Sequence, residues 1–406
     1  MAGDDDISEI APRLAVAVDG LRRVCDPSIF TFETTRDLEP LDGFMRQTRA
    51  LEAISFGTAI ERRGFNLFVL GTPGSGRHTA VGEFLTRIAA GRPSPDDWVY
   101  VNDFKAPQRP RAISLPTGLA PSLRDAMSEA VRELAEATPA AFESDEYRRR
   151  QRTIDEEFEA KQQKAFEALS EKARARGVAV LHTPLGFALA PVRDGAVVKP
   201  EVFNAWSAQE RGAALAAIGD LQTDLREFLE LIPRLDKERR GKVRALDREF
   251  ATLVVDQALA DARNAFGTLP AVVAHLDAVR ADMVENAGLF ASAGGEGENQ
   301  QIRRHDAPAF RRYMVNVIVT NGHDGARAPI VREDSPTLPN LVGRVEHLQQ
   351  MGTLVTDFML IKPGALHRAN GGYLLIDARK ILSEPLAWDG LKRALRHGRI
   401  EIESVA

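Results

Sequence analysis

Residues Phe65 to Thr79 read FNLFVLGTPGSGRHT, and this stretch restricts the fold more than any other. An apolar run, Phe65 to Leu70, is expected as a strand. It leads into Gly71, Gly76 follows after four residues, and Ala80 to Ile88 has the spacing of a helix. A strand that turns through glycines into a helix is the layout of a phosphate-binding loop, whose glycines let backbone N–H groups wrap phosphate oxygens. In the full motif, G-x-x-x-x-G-K-[ST], the lysine reaches the β- and γ-phosphates and the hydroxyl ligates Mg²⁺. Here Arg77 stands in the lysine position and His78 in the hydroxyl position, with Thr79 one residue late. Arginine keeps the charge on a longer, forked group, and imidazole is a poor ligand for hard Mg²⁺. The candidate cofactor-binding residues are Gly71, Gly74, Ser75, Gly76, Arg77, His78 and Thr79, with ATP or ADP weakly or vestigially bound and the place of Mg²⁺ open. A plain βα turn without ligand is the alternative.

A chain of 406 residues is long enough for two or three domains. Its 53 basic and 58 acidic side chains leave a net charge of −5, which argues against nucleic acid as a general partner. A single cysteine, Cys25, excludes an intrachain disulfide and a cysteine-based metal cluster. The scattered histidines lack ligand spacing, so no metal is expected. No apolar run approaches membrane-spanning length, and the acidic start MAGDDD lacks a signal-peptide core, so a cytoplasmic location is expected.

Four segments are expected. Residues 1–28 form an N-terminal helical arm, with helix over Ile10 to Val24. Residues 29–121 form the first part of an α/β domain: a helix from Thr48 to Ile60, the loop strand and helix, and strands Trp98 to Val101 and Ala112 to Leu115, alternating as a βαβ arrangement should. Residues 122–298 change character. Ile154, Phe158, Ala165 and Leu169 recur at helical spacing in a charged background, and so do Val243, Leu246, Phe250, Leu253 and Val254. This is the pattern of long antiparallel helices paired as a coiled-coil insertion. Between them lies a small β element, Val178 to Leu181, Gly186 to Ala190 and Ala196 to Val198, turned at Arg193-Asp194-Gly195, and Gly294 to Asn299 reads as the exit. Residues 299–406 resume the α/β pattern with strands over Arg312 to Thr320, Val355 to Ile361 and Tyr373 to Ile376. Asp377 ends the last of these, as the acidic residue of a Walker B strand does when it holds Mg²⁺. Ala378 stands where hydrolysing enzymes carry the glutamate that activates water. Helix capping is the alternative role for Asp377.

Four stretches carry a family resemblance: residues 64–71, residues 98–104 with 110–118, residues 312–321, and above all IKPGALHRANGGYLLIDA over 361–378. They resemble the AAA-type half of Lon-like proteases, in the branch with a long helical insertion whose members work without ATP. The resemblance spans residues 30 to 406. It implies a P-loop AAA-type parallel sheet with helices, interrupted by a long helical coiled-coil insertion with a small β element. It also implies a homo-hexameric ring that admits unfolded protein to a C-terminal Ser-Lys protease domain absent from this sequence, so no residue here is the proteolytic nucleophile. By position, Glu346 to Thr356 matches the segment lining the axial pore, with Met351, Leu354 and Val355 as the side chains that grip an extended chain; inward packing of this segment is the alternative. His367 is placed at a nucleotide or subunit interface, or against Asn370. The substitutions at Arg77, His78 and Ala378 imply that ATP hydrolysis is weak or lost. An active ATP-driven unfoldase and a noncatalytic scaffold whose arm binds a partner are the competing readings.

Overall fold

A computed structural model describes residues 15–39, 48–60, 62, 64–72, 74–183, 186–193, 195–292, 308–322, 327–350 and 352–402. The chain divides into two units, residues 1–81 and 82–406.

The first unit is built from local devices. Asp26 accepts the Ser28 N–H at 2.9 Å, and Thr34 and Asp37 form a capping box around a short 3₁₀ turn. The expected N-terminal helix is corrected in its described part, which holds only the 3₁₀ turn Val18–Gly20, with Val16, Val18, Leu21 and Val24 all exposed. Helix α1 (Thr48–Ala59) forms as expected. The apolar strand does not: residues 65–70 are extended but unpaired, and Phe65, Phe68 and Leu70 are exposed. A strand needs a ladder partner, and the described residues of this unit contain no strand. Helix α2 (Arg77–Ala90) begins three residues earlier than the spacing predicts.

In the second unit, β1 (Asp97–Val101) lies between β2 (Arg111–Leu115) and a later strand, both antiparallel to it. This corrects the expected parallel arrangement here. The connection from β1 to β2 is too short for the crossover that parallel strands require. Next come α3 (Leu119–Glu143) and α4 (Asp145–Ala175). A small sheet follows, β3 (Val178–Thr183), β4 (Gly186–Arg193) and β5 (Ala196–Val197), then α5 (Pro200–Asn204) and the 51-residue α6 (Ala208–Ala258). Asp194, the expected turn residue, and the exit Gly294 to Asn299 lie outside the described residues.

Helices α4 and α6 run antiparallel. Ion pairs run from Arg150–Glu249 near the start of α4, through Arg239–Asp155 and Lys242–Glu157, to Lys172–Asp224 near its end, so α6 is met at 249 by the start of α4 and at 224 by its end. Phe158, 4% exposed, is buried between them under the ammonium groups of Lys161 and Lys242. Tyr147 donates its hydroxyl to Asp247 at 2.6 Å. Exposed ion pairs each contribute little, so the buried aromatic side chains supply most of the adhesion.

Short helices α7 (Ala260–Phe266), α8 (Pro270–Glu285) and α9 (Ala287–Ser292) close this region. One hydrophobic cluster joins β1, β2, α3, the end of α6, α7, α8 and Phe290, Phe310 and Tyr313. The expected strand Arg312 to Thr320 begins only at Asn316 (β6, Asn316–Val319), because Pro308–Tyr313 is 3₁₀ helix. Its three-residue turn places both Phe310 and Tyr313 in the core, stacked on Phe290 at 4.4 and 5.8 Å. The remaining elements are β7 (Ile330–Glu333), α10 (Leu338–Val342), β8 (Arg344–Val345), β9 (Leu348–Gln350), β10 (Thr353–Val355), β11 (Ile361–Lys362), α11 (Ala365–Arg368), β12 (Tyr373–Ile376), α12 (Ala378–Ser383) and α13 (Ala387–His397). Strands β12 and β7 pair in parallel. Where a strand was expected over Val355 to Ile361, β10 ends at Val355, and Asp357 accepts the Met359 N–H at 2.8 Å to start a 3₁₀ turn.

Candidate functional site

The glycine-rich loop lies in the first unit. Gly74 and Gly76 have φ of 81° and 72°, a left-handed backbone that other residues adopt at a cost. Ser75 N–H donates to the Thr72 carbonyl at 3.2 Å, which closes the turn before α2. Gly71, Gly74, Ser75, Gly76, His78 and Thr79 are exposed. Arg77 is half-buried because its guanidinium folds back and donates to the Gly71 carbonyl. The backbone therefore has the build of an anion cradle at a helix N-terminus. The side chains depart from the full motif: the Arg77 cation is engaged with the loop itself, and His78 stands in the hydroxyl position.

Asp377, in the second unit, sits at the end of β12 as the sequence pattern predicts. Its Oδ1 accepts the N–H groups of Arg379 and Lys380 at 2.9 and 3.2 Å, so it caps α12. Among the described residues, no group of histidine, cysteine, aspartate and glutamate is arranged as a metal centre.

The segment matched by position to a pore lining is a hairpin. Strands β9 and β10 pair with Gln350 opposite Thr353, and Gly352 takes φ 79° in the turn. Leu354 is 69% exposed, with Leu348 and Val355 exposed beside it. Inward packing of Leu354 and Val355 is therefore not what the structure holds. Met351 lies outside the described residues. The hairpin stands on a two-strand stalk formed by β8 and β11, and the Glu346 N–H donates to the Leu360 carbonyl at 2.9 Å. Thr356 Oγ1 donates to the Glu346 carbonyl at 2.8 Å. Three apolar side chains on a braced, solvent-facing hairpin form a surface suited to contact another chain.

Two buried residues escaped the sequence reading as organisers. Asp97, fully buried, accepts the Asn321 N–H at 2.7 Å and the Ala120 N–H at 3.0 Å, tying β1 to the start of α3 and to the segment after β6. An aspartate just before an apolar strand is the only signal it leaves. His367 is 8% exposed, and its Nδ1 accepts the Gly364 N–H at 3.1 Å. Burial lowers its pKa to about 4, so it is neutral. It packs within its own turn, where the Asn370 N–H also donates to the His367 carbonyl. Trp388 is 43% exposed beneath Lys392.

Residues 326–406 match the family model described as LonB-like, AAA domain. Residues 97–130 match the model described as Lon-like LonC helical domain. Together these matches support an AAA-type segment of a Lon-like protease that carries a helical insertion. The first match contains the hairpin, His367 and Asp377; the second begins with β1 and runs into α3. No curated protein matches the chain.

Proposed function

We propose that this chain is the AAA-like substrate-handling module of a Lon-like serine protease. In this reading it assembles as a homo-hexameric ring in the cytoplasm, and the side chains of Met351, Leu354 and Val355 pass unfolded polypeptide to a C-terminal protease domain. The observation that carries the proposal is the exposed apolar hairpin inside the stretch that matches the LonB-like AAA domain. The helical pair belongs to a coiled-coil insertion over residues 122–298 that breaks an AAA-type domain of residues 29–121 and 299–406, with 1–28 as a separate arm.

Nucleotide binds at Gly71 to Thr79, weakly, and its hydrolysis is lost or slow. Support comes from Arg77, whose guanidinium is engaged with Gly71, from His78 in the hydroxyl position, and from Ala378 in place of a water-activating acid. Losing one such transition-state contributor costs about 10²–10³ in rate.

A photo-reactive amino acid at Leu354, in the full-length protease during degradation of an unfolded substrate, tests the role of the hairpin. Cross-links to substrate are expected; cross-links confined to the protein itself would refute it. Calorimetric titration of ATP and ADP, with and without Mg²⁺, into the chain and an Arg77→Ala variant tests the loop. Weak saturable binding that the variant loses is expected, and tight Mg²⁺-dependent binding with turnover would favour an active unfoldase instead.

A further inference from the structure

The hairpin's stalk ends in a knot of three residues, Gly343, Gly364 and His367. Gly343 immediately precedes β8, and Gly364 follows β11 after one proline. A Cβ on Gly364 would fall within 3 Å of both the Leu341 carbonyl oxygen and the Gly343 nitrogen. One on Gly343, whose φ is 90°, would fall 2.5 Å from the Lys362 oxygen and 3.4 Å from His367 Cε1. Backbone therefore meets backbone with no space for a side chain. The two glycines are buried, and so is the imidazole above them.

Gly364 is the N-cap of α11 and has no side chain with which to cap. His367, three residues on, supplies the reciprocal half of a capping box by accepting the Gly364 N–H, a task usually performed by glutamate or glutamine. A neutral imidazole can be buried there at far smaller cost than a carboxylate. Its Nε2, which carries the proton while Nδ1 accepts, meets no acceptor among the described residues. The ring is thus held through one hydrogen bond, and that bond is to the backbone at the foot of the hairpin.

We propose that His367 is the positioning residue of the 348–355 hairpin: its Nδ1 fixes Gly364, Gly364 fixes Gly343, and the fixed pair sets the direction in which β8 and β11 carry the hairpin. The importance of that direction for substrate rests on the function proposed above, but the geometry does not. The two ties higher on the stalk, from Glu346 to Leu360 and from Thr356 to Glu346, brace the hairpin internally and leave its angle to the knot below.

The test uses a nitroxide at Leu354→Cys in a Cys25→Ser background of this chain, since Cys25 is exposed and is its single cysteine. Its spectrum is read without substrate in three versions: unaltered, His367→Asn and His367→Leu. Asparagine places Oδ1 where Nδ1 stood and is expected to keep the immobilised component. Leucine fills the space without an acceptor and is expected to lose that component, while circular dichroism and the melting temperature show that the fold persists. An unchanged spectrum in the leucine variant, or equal loss in both variants, would overturn the proposal. Should the leucine variant fail to fold, hydrogen exchange at the Gly364 amide of the unaltered protein decides: protection like that of the α11 amides is expected, and exchange as fast as in the β9–β10 turn would overturn it. Because no substrate is present, the mobility result is independent of whether the hairpin grips protein.

Discussion

Lowering the pH from 7.5 to 4.5 should strip stability from the second unit through two buried histidines. His275 is 1% exposed, inside the cluster that joins α8 to β1, β2 and α3, with its ring 6.2 Å from that of Phe104. Burial, with the Arg111 cation as a smaller cause, lowers its pKa from 6.5 to about 4; burial does the same to His367. The unfolded chain thus takes up protons below about pH 6.5 that the folded chain refuses until about pH 4, so stability falls with pH in this window and levels off below it. At pH 4.5 the loss is about 2.5 kcal/mol for each histidine, or about 5 kcal/mol together, a large share of the stability of an ordinary domain. Carboxylates held low by partners, such as Glu157 at about 2 beside Lys242 and Lys161, withdraw their support only below the ordinary value of 4.5 and leave the window clear. Urea unfolding at fixed ionic strength, followed by tryptophan fluorescence, reports on this unit, since all three tryptophans, Trp98, Trp206 and Trp388, lie in it. A His275→Leu variant should lose about half of the pH dependence. A midpoint that stays level down to pH 4.5, or a slope that the variant leaves unchanged, would refute the reasoning that these imidazoles are buried neutral.

Three further outcomes are expected. Asp97→Ala orphans the buried N–H groups of Ala120 and Asn321 and should cost about 4 kcal/mol, Asp97→Asn clearly less, as measured by denaturant midpoint. Phe158→Ala should weaken the α4–α6 pair by about 3 kcal/mol, seen as faster amide exchange in both helices with little change in α8. Tyr313→Phe removes the hydroxyl that donates to Asp282 at 2.7 Å but leaves Arg312 beside that carboxylate, so a loss near 1 kcal/mol in thermal or urea unfolding is expected.

Helical periodicity was legible wherever one face of a helix meets a neighbour. Phe158 and Leu169 on α4 and Leu246 on α6 are buried as their spacing demands, whereas Leu253 of the same stripe is 64% exposed, and the small sheet between the helices starts at the residues where alternation begins. The strand β12 and its terminal Asp377 also read directly, since an apolar run closed by a capping residue is a local signal. Pairing direction was less legible because it depends on partners distant in sequence. The apolar residues 65–70 have strand character, yet strand character alone supplies no ladder. Tyr313 looked like part of a strand, but it stands three residues after Phe310, and burying both favours a 3₁₀ turn. Asp97 and His367 were missed as organisers because their roles depend on backbone groups that only the fold brings to them.

The 51-residue helix α6 is about 75 Å long at 1.5 Å per residue. Its end is sunk in the core through Val255 and Ala258, whereas its start reaches out to the small sheet. Such an element is a mechanical lever with a short anchored end. A tilt of about 5° at the anchor displaces the far end by about 5 Å along a free length near 60 Å, whereas neighbouring core side chains move only by fractions of an ångström. Pro233 divides the lever, removing one backbone donor from its middle while α4 alongside carries no proline. A repacking around Val255 that tilted the helix by this angle would be read at its far end as a sweep of about 5 Å.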